Sequence, residues 1–253
     1  MLPELAPTLW AVIVLITLLA GFVKGAVGFA MPMIMVSGLG TFLAPELALA
    51  ALIIPTLATN VVQAFRQGVE AAWGSVKAHW RFLLTVMVVI GFAAQLVRVV
   101  SDSALFLMLG IPVVVFALIQ LLGVKFTITK EHRLKAELIL GSMAGFIGGL
   151  SGVWGPPTVM YLTALNTPKA EQVRVLGVVF GLSAIVLALA HVNSGLLNAA
   201  TAPFSALLLV PALAGVFLGI LVQDRLDQDR FRKATLIVLI IAGLNLVRRG
   251  LMG

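Results

Sequence analysis

Lys24 is the residue whose type and position most directly suggest chemistry. It follows an apolar run from Leu9 to Val23 that only Thr17 interrupts, and it stands inside the helix-breaking stretch Gly21-Phe22-Val23-Lys24-Gly25-Ala26-Val27-Gly28-Phe29-Ala30-Met31-Pro32. An ionisable side chain so deep in apolar sequence is a functional candidate by default. A fixed cation beside backbone amides at a helix end, where the dipole is positive, is chemistry suited to a small oxyanion. The competing expectation is snorkelling. The run from Leu9 to Val23 rises about 22 Å as a helix, most of the way across roughly 30 Å of hydrocarbon, which puts the ammonium within reach of the interface.

A second set is Thr56, Thr59, Asn60 and Gln63, whose spacings of three and four place them on one helix face. Such a face serves interhelical hydrogen bonding. It serves equally to line a pathway, because the amides of Asn60 and Gln63 can donate to oxyanion oxygens. Arg174, early in a later apolar segment, is a further cation candidate, whereas Arg66 reads as a loop anchor. Gly149-Leu150-Ser151-Gly152 also reads as the Gly-x-Ser-Gly nucleophile signature of an intramembrane serine protease, with His191 as the base such a serine requires. The carboxylates Glu4, Glu46, Glu70, Asp102, Glu131, Glu137, Glu171, Asp224, Asp227 and Asp229 all fall at or near the ends of apolar segments. That placement argues against a proton or sodium relay, which usually leaves an acid within a span.

The elements that position these residues are membrane helices. Hydrophobic residues make up 61% of the chain and charged residues 11%, far from soluble usage. Ten apolar segments can be marked: 8–24, 28–41, 46–65, 80–98, 103–122, 134–150, 154–165, 171–191, 203–222 and 232–248. The second and seventh are too short to span about 30 Å and are expected to be half-helices. The first lacks a basic leader region and reads as a retained helix. With no cysteine, disulfides and thiolate metal sites are excluded, and no cofactor is expected. The net charge of +7 lies in short loops rather than on one face or tail, so no nucleic-acid partner is expected.

The break motif occurs twice. Gly145-Phe146-Ile147-Gly148-Gly149-Leu150-Ser151-Gly152-Val153-Trp154-Gly155-Pro156 repeats the Gly, Phe, Gly, Gly and Pro of the first copy in register, with Val27 at the place of Ser151. The repeat therefore accounts for the glycines around Ser151 without catalysis. Paired Gly/Pro interruptions in two halves point to a transporter binding site. Basic residues fill three loops, at Arg66, Lys77 and Arg81, at Lys125, Lys130, Arg133 and Lys135, and at Arg225, Arg230, Arg232 and Lys233, which assigns all three to the cytoplasm. The region 192–201 then faces the other side. Each half becomes a hairpin plus three spans, an odd number of crossings, so the halves, 1–125 and 126–253, enter from opposite sides as an inverted repeat. Arg248 and Arg249 would lie outside, against the charge rule. Small-xxx-small spacings at Gly21/Gly25, Gly141/Gly145/Gly149, Gly177/Gly181 and Gly215/Gly219 predict close helix approach. Gly25, Gly28, Gly149 and Gly152 are singled out because they lie in the breaks.

Lys24-Gly25 through Pro32, Pro45 with Thr59-Asn60 and Gln63, and Gly148 through Pro156-Pro157 with Pro168 and Arg174 resemble the sulfite exporter family TauE/SafE over almost the whole chain. The resemblance implies an all-α polytopic protein of the bacterial inner membrane that exports sulfite or a small organosulfonate such as sulfoacetate, and not an enzyme. Alternating access would work from a site at the two breaks; a channel or facilitator of the same fold is the alternative. The substrate-binding candidates are Lys24, Gly25, Gly28, Thr59, Asn60, Gln63, Gly149, Ser151, Gly152, Trp154 and Arg174. The expected partners are a small anionic sulfur compound and the lipid bilayer, with self-association into a homo-oligomer left open.

Overall fold

The computed structural model describes residues 6–93, 102–124, 127–151, 154–193 and 196–252. Among them the secondary structure is helical throughout. By contacts the chain forms two compact units, Met1–Gly68 with Gly177–Leu226, and Val69–Leu176 with Asp227–Gly253. Each unit draws on both halves of the sequence. A grouping by contact does not test the division by repeat at 1–125 and 126–253.

In the first unit, α1 (Pro7–Val27) packs along α10 (Ala202–Arg225), and α3 (Pro45–Phe65) packs on α10 as well. Between them lies α2 (Met31–Leu39), a helix of 9 residues. That length rises only about 13 Å, less than half the hydrocarbon thickness, as expected for a half-helix. A Cβ at Gly38 would lie 2.7 Å from the Ile16 side chain, so α2 runs back along α1 as a hairpin. Its Met35 and Leu39 join Ile13, Ala48, Phe204 and Leu208 in one core. The beginnings of α1, α3 and α10 therefore share an end with the close of α2. At the other end Arg66, closing α3, forms an ion pair with Asp224 of α10 at 2.6 Å.

Glycines set the α1–α10 crossing. A Cβ at Gly21 would lie 2.3 Å from Ala212 O, at Gly25 2.2 Å from Val216 O, at Gly215 2.1 Å from Leu18 O and at Gly219 2.1 Å from Phe22 O. Backbones this close exclude any side chain, the small-xxx-small arrangement read from the sequence. In α3, Pro55 cannot donate to the Ala51 carbonyl. Ser205 of α10 takes the vacated place: its Oγ donates to Ala51 O at 3.2 Å and accepts from Ile54 N at 3.1 Å. A hydroxyl from a neighbouring helix is the usual way to keep such a backbone satisfied away from water.

In the second unit, α4 (Val69–Ala78) and α5 (Trp80–Ala93) meet at His79 with a bend of 77°. Here the sequence reading of residues 66–79 as loop is corrected. Helix α4 is amphipathic: Ala72 and Ser75 are buried, Val69 and Trp73 are exposed, and Glu70 and Lys77 occupy the first and last turns. These termini suit the helix dipole, but charges next to an apolar segment are also what a loop looks like. Helix α6 (Asp102–Leu121) packs on α11 (Gln228–Met252), and α5 packs on α7 (Arg133–Ser151). Gly145 and Gly149 make the α5–α7 approach close, since a Cβ there would lie 2.7 Å from Val86 O and 2.9 Å from Ala93 Cβ. The short helix α8 (Gly155–Ala164) packs on α7. Its last carbonyl, Ala164 O, accepts from Ile128 N at 2.8 Å, so α7 and α8 form a second hairpin whose ends meet at the central linker. Arg133 of that linker end donates to Ala78 O at 2.6 Å, and Gln228, at the start of α11, accepts from Lys169 N at 2.8 Å. Helix α9 (Lys169–Asn193) starts in this unit and runs into the first.

Among the described residues, α1, residues Leu47–Phe65, α10 and α11 are each long and apolar enough to cross a membrane, and the bent pair α4–α5 passes the same test together. Their outward residues are apolar, with Leu15, Leu19, Val210, Leu221 and Ile241 all exposed. Apolar surface on this scale belongs against lipid.

Candidate functional site

The first break is built by chain chemistry. Helix α1 ends where Gly28 adopts φ 92°, a left-handed value that glycine accepts without strain, and its N–H donates to Lys24 O at 2.7 Å. Helix α2 begins at Ala30, which takes φ 77°, and Pro32 sits in its first turn, where its missing N–H costs nothing. Alanine has no side chain with which to cap, and no side-chain hydrogen bond caps the α2 N-terminus. Its first amides and the positive dipole end point into the break.

Lys24 lies one turn before this break and is 2% exposed, turned inward rather than to an interface. Its Nζ donates to Asn60 Oδ1. No carboxylate pairs with Lys24 among the described residues. Asn60 is fully buried and its Nδ2 has no partner among the described residues. Three residues on, Gln63 donates through Nε2 to Gly28 O at 2.8 Å, tying α3 to the turn of the break. Thr59 Oγ1 bonds back to Pro55 O at 2.7 Å and lies 3.8 Å from Met31 Sδ. Thr56, Thr59, Asn60 and Gln63 are all buried, so the polar face read from their spacing is turned into the unit. Behind it stands α9, whose Gly177 would place a Cβ 2.5 Å from Ala64 N and whose Gly181 would place one 3.7 Å from Asn60 Cβ. A buried ammonium, a free amide N–H pair and an uncapped helix N-terminus together make a donor set with no resident acceptor of negative charge.

The other expected residues are placed differently. Gly25 and Gly149 lie inside α1 and α7 and serve helix contact rather than offering amides to a ligand. Trp154 is buried in front of α8, where its side chain covers Gly148; a Cβ on that glycine would lie 2.9 Å from Trp154 Cβ. Arg174 belongs to the second unit and donates from Nε to Ser75 Oγ of α4 at 2.7 Å. Ser151 is the last residue of α7, but its side chain, that of His191, and Gly152 altogether lie outside the described residues. Absent from the sequence expectation is a polar cluster of the second unit formed by His79, Glu137, Tyr161 and Glu171. Its only signal in the sequence is that Tyr161 is the chain's single tyrosine and sits in a half-helix otherwise without titratable groups.

Neither the curated proteins nor the solved structures give a match to this chain. The family described as sulfite exporter TauE/SafE matches residues 13–246, nearly the whole length. That match spans both breaks and the Lys24–Asn60 pair, so the chain belongs to the TauE/SafE sulfite exporter family of membrane transporters.

Proposed function

We propose that the protein exports a small sulfur-containing anion, sulfite or an organosulfonate such as sulfoacetate, across the bacterial inner membrane, and that the anion binds at the first break against Lys24, Asn60 and the α2 N-terminus. The observation that carries this reading is the buried Lys24 ammonium paired with an amide oxygen and with no described carboxylate. An ammonium withdrawn from water without a counter-charge is costly, and a substrate anion supplies that charge. Asn60 Nδ2 adds a donor of the kind a sulfur oxyanion accepts.

Transport proceeds by alternating access between two inverted halves. Helix α1 pairs with α10, and its repeat counterpart α7 pairs with α5, the counterpart of α10; this matched pairing supports a repeat of two homologous halves.

A melting screen of the purified protein against sulfite, sulfate, thiosulfate, sulfoacetate, taurine and acetate tests the reading. A ligand bound only by the folded state raises apparent stability by about 2.7 kcal/mol at a hundred times its Kd. Stabilisation by sulfite or sulfoacetate and not by acetate is expected. Equal response to acetate, or none to any sulfur anion, would overturn it.

A further inference from the structure

The polar cluster of the second unit has no part in the anion site. Glu171 of α9, His79 at the α4–α5 bend, Tyr161 of α8 and Glu137 of α7 form a chain of four groups. Glu171 Oε1 lies 3.5 Å from His79 Nε2, His79 Nδ1 lies 3.0 Å from Tyr161 OH, and Tyr161 OH donates to Glu137 Oε1 at 3.0 Å. Glu137 is 2% exposed, His79 3% and Tyr161 0%, so three of the four are away from water. Tyr161 is held in place by stacking on Phe82, with ring centroids 4.4 Å apart and planes at 4°.

Counting hydrogens shows what this chain can do. Three links require three hydrogens. The phenol supplies one and a neutral imidazole one, which leaves one link with lone pair facing lone pair. One added proton fills every link, and it has two places to reside. As an imidazolium, His79 donates to Glu171 and to the phenol oxygen while the phenol donates to an ionised Glu137. Alternatively the proton on Nδ1 passes to the phenol oxygen as the phenol proton passes to Glu137 Oε1, leaving a neutral imidazole, an intact phenol and a carboxylic acid. No atom other than hydrogen moves between the two.

We propose that Glu171, His79, Tyr161 and Glu137 form a binding site for a single exchangeable proton, and that the bound proton fastens the α8 half-helix to α7 and to the α4–α5 bend. Glu137 and Arg133 from α7 and Glu171 from α9 are the charged groups that face His79. Arg133 is already committed to Glu137 Oε1 at 2.8 Å and to Ala78 O at 2.6 Å. Glu137 Oε2 is buried with no partner among the described residues, so this carboxylate keeps an acceptor position that no described group fills. Glu171 is about a third exposed on its side chain and gives the proton an entrance from water. Glu137 lies near a helix start, and its burial there is not visible from the sequence.

Tyr161 being the only tyrosine, protein labelled with carbon-13 at the tyrosine ring carbon bearing oxygen gives one NMR line that reports this hydroxyl. In full-length protein in detergent, the line is expected to titrate with a single-proton midpoint between pH 5 and 8. His79→Gln should abolish the titration. Glu171→Gln, at a partly exposed site that tolerates change, should weaken proton affinity about tenfold and move the midpoint down by about one pH unit. A line that does not move between pH 5 and 8 overturns the proposal. So does a titration that is unchanged in both variants. The measurement uses no anion, so its outcome is independent of whether Lys24 binds one.

Discussion

Replacing Lys24 with Gln separates a ligand group from a structural tie. Glutamine retains a polar end that can bond to Asn60 and removes the charge. In the unliganded protein this deletes a buried ammonium with no described carboxylate, so stability should hold or rise, since an uncompensated buried charge is a burden on the fold. In the liganded protein the effect reverses. An anion about 4 Å from the ammonium gains about 4 kcal/mol at an effective dielectric of about 20, before desolvation is subtracted. The net worth of a hydrogen bond to a charged group is about 1.5–3 kcal/mol. Affinity for sulfite or sulfoacetate should therefore fall about tenfold to more than a hundredfold. Melting curves titrated with either anion give both quantities from one preparation. Arg66→Gln is the control, because Arg66 is tied to Asp224 and Gln223 at an exposed end of the unit and should leave affinity unchanged. Equal affinity in Lys24→Gln and wild type would refute the site. A variant that melts lower without ligand would instead make Lys24 a tie between α1 and α3.

Topology is open to single-cysteine labelling on a chain with no native cysteine. Exposed Gln67, Thr129 and Asp229 should react from the cytoplasmic side and exposed Ala199 from the other, and reaction of all four from one face would end the inverted arrangement. Ala30 holds φ 77° without being glycine, at a cost of about 1–2 kcal/mol, so Ala30→Gly should raise the melting temperature; a fall would mean the alanine methyl packs for more than the strain it causes. A fluorophosphonate probe should leave the protein unlabelled, and covalent capture at Ser151 would restore the protease reading.

What could be read from sequence follows from how local each feature is. The breaks were legible because Gly28 and Pro32 impose them through their own backbone, whatever surrounds them. The polar face of α3 was legible because periodicity alone puts Thr56, Thr59, Asn60 and Gln63 on one side. The direction of Lys24 was not, since helix rise fixes depth but not which way a flexible side chain turns, and Asn60 on another helix decides that. The helix α4 was missed because its Glu70 and Lys77 gave it the charge pattern of a loop. Glu137 and His79 were passed over for a related reason. Both lie near segment ends, where a charge is ordinarily solvated, and only the packing of α4, α7 and α8 buries them.

The two copies of the break agree where they pack and differ where they carry charge. Gly21 and Gly25 make a close approach to α10, and their counterparts Gly145 and Gly149 make one to α5. Lys24, however, corresponds to Gly148, and there Trp154 occupies the space. The repeat thus supplies a single fixed cation. One ammonium balances one negative charge; the remainder on a dianion must be met by a helix end equivalent to about half a charge and by neutral amides. On the proposed site, a singly charged anion such as hydrogen sulfite is the better match, and the dianions sulfate and sulfoacetate should each be held more weakly than hydrogen sulfite, sulfate despite its additional oxygen. At equal concentration and at a pH where hydrogen sulfite is abundant, sulfate should raise the melting temperature less than sulfite does. If sulfate stabilises as well or better, selection rests on shape or hydrogen bonding, and charge matching at Lys24 is not what distinguishes the substrate.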